Sequence, residues 1–152
     1  MRILVTNDDG IQSPGIQALA KALSAIGEVW MVAPDRERTA VAHAVTLHKP
    51  LRVHRLAPRT FSVNGTPVDC VNVALLKIMP KAPSILVSGI NKGWNLGDDV
   101  TYSGTVSGAL EGALLSIPSI AVSAQRVRDE TEFGSSAEAA AVIAAAILER
   151  GL

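Results

Sequence analysis

A single cysteine, Cys70, excludes an intramolecular disulfide framework and any zinc site built from several thiolates. The three histidines, His43, His48 and His54, have no ligand spacing with Cys70 or with a glutamate, which argues against a histidine zinc site. An excess of charge of one sign is also missing: 14 basic residues balance 14 acidic ones, and no long block of either stands out. That balance supports no attraction to a DNA or RNA duplex or to a membrane surface, although a nucleotide stays allowed as a small ligand. No uncharged run of about 18 residues occurs, so no membrane-spanning helix is expected. Met1-Arg2 lead straight into a strand-like run with no signal-peptide pattern, and the cytoplasm is the expected compartment. Aromatics make up only 3% of a chain that is 48% hydrophobic, so the core must be built from Ala, Val, Leu and Ile. Such a core suits helices packed on a buried, mainly parallel sheet. The 152 residues fit one globular domain, 1–152.

What the sequence does contain is an alternation of strand and helix signals. RILVT (2–6) reads as a buried strand, followed by a helix from Pro14 to about Ile26 that is ended by Gly27. EVWMVA (28–33) is the second strand of this unit, joined by a crossover expected to be right-handed. A polar loop follows at 33–40. The stretch to Val63, with Pro50 and Pro58, reads as irregular or hairpin-like structure outside the main sheet. A helix over 68–79 is announced by Thr66-Pro67, an N-cap and a first-turn proline. SILVS (84–88), a helix over about 104–116, strand SIAVSA (119–124) and an Ala-rich helix over 136–149 complete the pattern. The reading is an α/β fold: a Rossmann-like three-layer αβα sandwich with a mostly parallel sheet. Ligands bind such sheets beyond the carboxyl ends of the strands, where the polar loops 7–13, 34–40 and 89–103 fall here.

Asp8 and Asp9 close the first strand in LVTNDDGIQSPGI. Two adjacent carboxylates that converge repel each other, and a divalent cation removes the repulsion. Asp-Asp-Gly is equally ordinary turn chemistry, and these residues alone leave both readings open. In the loop after the SILVS strand, Asn91, Asn95 and Asp99 alternate with Gly93 and Gly97, a pattern that fits a ligand loop or a plain surface loop. Ser103-Gly104-Thr105 open a helix, which is either an anion site or a simple N-cap. Gly104, Gly108 and Gly112 fall on one stripe and are assigned to close packing on the sheet. Thr39 adds a hydroxyl at a second strand-end loop; Arg36 and Arg38 beside it read as solvated, and Cys70 as a small core residue. Trp94 and Tyr102 flank the glycine loop and could stack on a base or pack. Taken together, these hard oxygen donors favour Mg²⁺ or Mn²⁺ over zinc, next to a phosphate-sized anion site.

In order along the chain, LVTNDDGIQSPGI, VAPDRERT, GTPVDCV, SGINKGWNLGDDVTYSGTVSGALEG and IPSIAVS resemble the motifs of the SurE family of 5′-nucleotidases and acid phosphatases. The resemblance runs from residue 1 to about 124. It implies a Rossmann-like domain and divalent-metal-dependent release of phosphate from nucleoside 5′-monophosphates, extending in some members to 3′-nucleotides and short polyphosphate. Carried over motif by motif, it implies metal ligation by Asp8, Asp9, Thr39 and Asn91, with Asp8 and Asp9 catalytic. It further implies phosphate contacts by Asn95, Ser103, Gly104 and Thr105, and assembly as a homodimer or homotetramer.

Two departures stand out. Thr39 replaces the family's usual serine and keeps the hydroxyl with a stiffer χ1. Ala42-His43-Ala44 replaces the usual Gly-His-Ser, losing one flexible position and one hydroxyl. The family's C-terminal extension is expected to be absent after Arg150-Gly151-Leu152. The expected function is a metal-dependent phosphomonoesterase, the attacking group being a water or Asp8 itself. The alternative, made credible by the short chain, is a non-catalytic nucleotide- or metal-binding module. A dinucleotide oxidoreductase is disfavoured, because the first strand leads into Asn-Asp-Asp-Gly without a G-x-G-x-x-G turn.

Overall fold

The computed structural model describes residues 1–38, 41–125 and 133–151. Among these, six strands form one sheet: β1 (Arg2–Thr6), β2 (Glu28–Pro34), β3 (Val53–Ala57), β4 (Thr60–Val63), β5 (Ile85–Lys92) and β6 (Ser119–Ala124). Their order is β3-β4-β2-β1-β5-β6, parallel throughout except for the antiparallel β3–β4 hairpin. The helices are α1 (Pro14–Leu23), α2 (Pro67–Val73), α3 (Asp99–Tyr102), α4 (Gly104–Leu114) and α5 (Gly134–Arg150), with a π-helical turn over Ala74–Ile78 after α2.

Alternation along the strands builds two cores. Ile3 and Val5 of β1 and Ile85 and Val87 of β5 face α1 and α5, where Ile16, Leu19, Leu23, Ala137, Ala140 and Ala144 are buried. Leu4 and Leu86 face the opposite way, into a cluster with Val32, Val63, Cys70, Val71 and Ala74. Both faces of the sheet are therefore covered, as a parallel sheet requires, and the three-layer αβα architecture is as expected. Cys70 lies fully inside, and burial pushes its thiol up.

Local chemistry explains the element ends. Thr66 caps α2 in a capping box with Asp69, as its sequence announces. α1 stops at Leu23, short of the expected Ile26. There Ser24 Oγ donates to the Lys21 carbonyl (2.6 Å), and the Ala25 and Ile26 N–H groups make tighter i→i−3 bonds. The helix expected over 68–79 is α-helical only to Val73 and then widens into the π-helical turn, ending on Met79 N–H to Ala74 carbonyl (2.8 Å).

The hairpin lies elsewhere than expected. It was expected outside the main sheet, yet β4 pairs with β2 from Met31↔Thr60 to Pro34↔Val63 and extends the sheet. Long-range burial decides this: Val63 enters the second core, and the Phe61 and Trp30 rings stack with centroids 6.3 Å apart. β3 is the exposed edge, interrupted by a bulge between Arg55 and Ala57, so its own alternation is weak. The glycine stripe of α4 packs on the sheet as assigned, Gly108 over Ser88 and Thr6 and Gly112 over Ser119 and Leu86.

The site's position follows from the strand order. β1 sends its chain to α1 on one face and β5 sends its chain to α4 on the other, so a crevice opens between their carboxyl ends. Gly15 keeps the α1 side of that crevice tight: a Cβ there would fall on the Ile90 carbonyl oxygen, far inside van der Waals contact. Backbone cannot rotate away, so Gly15→Ala is expected to cost about 1–3 kcal/mol, read as a lower urea midpoint with an unchanged m-value.

Candidate active site

Asn7, buried at the end of β1, shapes the turn that follows. Its Nδ2 donates to the Gly10 carbonyl (3.0 Å) and to Ser13 Oγ (2.8 Å), and its Oδ1 accepts the Gly10 N–H (3.2 Å). Gly10 closes the turn at φ +97, a conformation costly for any residue with a Cβ. The turn is then stitched to the loop after β2: Ile11 N–H donates to the Pro34 carbonyl (2.8 Å), and Arg38 N–H donates to the Asp8 carbonyl (2.7 Å). Sequence reasoning passed over Asn7, although an Asn preceding Asp-Asp-Gly is a recognisable turn former.

Asp8 is buried beneath the start of α4. Thr105 Oγ1 donates to Asp8 Oδ1, and the Thr105 N–H also serves this carboxylate. Gly104 makes the approach possible, because a Cβ there would sit 2.8 Å from Asp8 Cβ and 2.9 Å from Asp8 Oδ2. Ser103 caps the helix by accepting Val106 N–H at Oγ (3.2 Å), and its carbonyl accepts Ser107 Oγ–H (2.7 Å). The helix start read as an anion site thus already lies against an anion, the Asp8 carboxylate. Of the residues tied to phosphate by the resemblance, Ser103, Gly104 and Thr105 gather here. Asn95 lies in the loop after β5, where its Nδ2 donates to Ser123 Oγ (2.7 Å).

Asp9 is half-buried and accepts a backbone N–H from Lys92 at the end of β5. Burial, and next the neighbouring Asp8 charge, push its carboxyl up to about 6. Burial likewise raises Asp8, against the lowering effect of the Thr105 hydroxyl. Asn91 is carried by β5, which continues to Lys92 where a loop was expected from residue 89. Its Nδ2 donates to the Gly93 carbonyl (2.8 Å), so Oδ1 is the terminal atom suited to a cation. Thr39 lies outside the described residues.

No group of three His, Cys, Asp or Glu side chains that could hold a metal occurs among the described residues. The available donors are two crowded carboxylates and neutral oxygens, a set that fits one hard divalent cation and not zinc. The raised carboxyls are compatible with that, since burial first, and for Asp9 next the Asp8 charge, makes their ionised forms costly, and a cation would offset that cost.

Two readings from sequence change here. Arg38 is not solvated: its Nη2 meets Asp35 Oδ1 at 3.3 Å and donates to the Asn64 carbonyl (3.1 Å). His43 is not a zinc ligand candidate, but it does meet a carboxylate, with Nε2 2.7 Å from Glu111 Oε2, while Asn72 Nδ2 donates to Glu111 Oε1 (2.8 Å). This contact holds the segment 41–46 along α4. Thr46 fastens the same segment to Asp69 through its N–H (2.9 Å) and Oγ1 (2.6 Å). Ala42, standing where the family usually has glycine, adopts φ +48.

The SurE description "Survival protein SurE" matches the chain over residues 3–152. The chain belongs to the SurE family. It is 55% identical to the 5′-nucleotidase SurE of Geobacter sulfurreducens over 152 residues, covering 100% of this chain and 58% of that protein. Against the 5′-nucleotidase SurE of Geotalea daltonii the identity is 51%, covering 100% and 61%. The crystal structure of the SurE protein from Aquifex aeolicus superposes with a TM-score of 0.94 at 45% identity, covering 100% of this chain and 62% of that one. The SurE chain described here thus spans about three fifths of the length of these relatives. No helix among its described residues is long and apolar enough to cross a membrane.

Two stability predictions follow from the site's electrostatics and backbone. Because folding raises Asp9 from 3.8 to about 6, the native state binds more protons in that window and loses stability as pH rises through it. In chelator above pH 6, Asp9→Asn is therefore expected to melt higher than the native chain, with the gap closing toward about pH 4 and shrinking when Mn²⁺ is added. Differential scanning fluorimetry across pH reads all three effects. Ala42→Gly should relieve the left-handed alanine and raise stability by about 1 kcal/mol, measured by urea denaturation.

Proposed function

We propose that this protein is a divalent-metal-dependent phosphomonoesterase that hydrolyses nucleoside 5′-monophosphates to nucleoside and phosphate. The observation that carries the reading is the pair Asp8–Asp9, crowded and desolvated at the central strand end, Asp8 directly under the start of α4 and Asp9 against the end of β5. The names of the relatives, 5′-nucleotidases in both cases, support the same class of substrate. Asp8, Asp9, Thr39 and Asn91 would hold one Mg²⁺ or Mn²⁺. When bound, the ion supplies Lewis acidity that offsets charge on the phosphoryl group and lowers the pKa of water.

The chain's own residues carry the rest. Ser103, Gly104 and Thr105 at the start of α4, where the helix dipole favours an anion, would receive the phosphate beside Asp8, with Asn95 reaching it from the loop after β5. Thr105 also fixes the rotamer of Asp8 through its hydroxyl. Asp9, the less buried carboxylate, handles the proton that must leave the attacking group as the phosphorus–oxygen ester bond breaks. The ester oxygen leaves with a proton as the nucleoside hydroxyl, and phosphate remains. In this reading 3′-nucleotides and short polyphosphate are further substrates, the protein works in the cytoplasm, and a full-length chain assembles as a homodimer or homotetramer.

The test is phosphate release from a panel of nucleoside 5′- and 3′-monophosphates and tripolyphosphate, with Mn²⁺, with Mg²⁺ and with chelator. Turnover should require the metal, and Asp8→Asn should lower kcat by about a hundred-fold or more. Full activity in chelator or in Asp8→Asn would overturn the mechanism. Saturable nucleotide binding without turnover would assign the chain to a binding module instead.

A further inference from the structure

The chain has only five aromatic residues: two Trp, one Tyr and two Phe. Three of them serve the fold, Trp30 and Phe61 stacked on each other and Phe133 buried beside α5. The other two, Trp94 and Tyr102, are 59% and 64% exposed. Leaving two large rings in water, in a molecule so poor in them, calls for a reason.

Their placement supplies one. Trp94 adjoins Asn95 and lies three positions after Asn91; Tyr102 directly precedes Ser103. Both rings stand on anchored backbone. On one side of Trp94, Gly93 N–H donates to the Ala124 carbonyl (3.1 Å); on the other, Asn95 Nδ2 donates to Ser123 Oγ (2.7 Å). The Tyr102 carbonyl accepts Ala42 N–H (3.2 Å), and the next residue caps α4. The main chain is thus tied down around each ring while the ring itself stays exposed. A ring carried on ordered backbone loses little further entropy when a flat ligand settles on it.

We propose that Trp94 and Tyr102 form a stacking platform for the nucleobase, set beside the residues that receive the phosphate. The proposal rests on the phosphomonoesterase reading and adds what that reading lacks, a contact to the part of the substrate that is not phosphate. Stacking uses the π-face that every base has, so the platform accepts all bases and favours purines for their larger face. Between the two rings the loop carries Asp98 and Asp99 and also exposes Leu96 (63%) and Val100 (38%), apolar surface on which a planar heterocycle can rest.

The experiment compares adenosine 5′-monophosphate with ribose 5-phosphate, which lacks the base, as substrates of the Mn²⁺-loaded protein. Trp94→Ala is expected to lower the ratio of their kcat/KM values about ten-fold through KM, and Trp94→Phe to retain most of it. A ratio within two-fold of the native value overturns the platform. If the native protein hydrolyses neither compound, the phosphomonoesterase reading fails, and binding decides the platform alone. In a Trp30→Phe background, quenching of Trp94 fluorescence by adenosine 5′-monophosphate but not by ribose 5-phosphate supports it. Equal quenching by both, or by neither, overturns it. A change in sedimentation of Trp94→Ala with an unaltered ratio makes the loop a contact between copies, which also overturns it.

Discussion

The structure depends on keeping the Asp8 carboxylate out of water at the end of the central strand, beside a second carboxylate. Burial of this kind is costly and raises both groups toward protonation. The fold meets part of the cost with donors to the carboxylates: the Thr105 hydroxyl and N–H and the Asp8 N–H on Asp8, and the Lys92 N–H on Asp9. It leaves part unmet. In the function proposed above, that unmet cost is what a bound cation would offset, so a local instability and a chemical purpose would share one origin.

Everything around this pair serves to bring three stretches of chain together. The glycine stripe lowers α4 onto β5 and β6, and Gly104 lets its first turn touch Asp8. Gly15 does the same for α1 against β5 from the other face. Asn7 closes the turn between them with three hydrogen bonds, so the carboxylates sit on a short, fixed loop and not on a mobile one. The segment 41–46 is held by Asp69 on one side and Glu111 on the other, and its Ala42 N–H reaches the residue before the α4 cap. A site of this kind needs rigid surroundings, because like charges at short range would otherwise rotate apart.

The distribution of aromatic rings separates the cores from the exposed loops. Aliphatic residues and alanines fill both cores, so the sheet and helices spend few rings on packing. The chain belongs to the SurE family and shares its fold closely with the Aquifex aeolicus protein, over the part of that molecule that it spans. Within that common frame, the loop after β5 carries exposed side chains, Trp94, Leu96, Val100 and Tyr102 among them, which the two cores do not use.

The sequence by itself determined most elements. Buried runs such as RILVT and SIAVSA, the Thr66-Pro67 start and the Ala-rich segment carry their own signals, because local propensity and capping act within a few residues. It also determined that Asp8 and Asp9 close a strand and that Ser103-Gly104-Thr105 open a helix, while Asn91, expected in a loop, lies within β5. Only the tertiary structure decided which of these meet. Neither residue 8 nor residue 105 announces the other, since 97 positions separate them and the contact exists only once α4 lies on the sheet. The same holds for the hairpin, whose weak alternation hid a strand paired to β2, and for Arg38 and His43, whose carboxylate partners Asp35 and Glu111 emerge only with packing. Propensity and capping are local and can be read along the chain; desolvation, and the partners that offset it, belong to the assembled molecule.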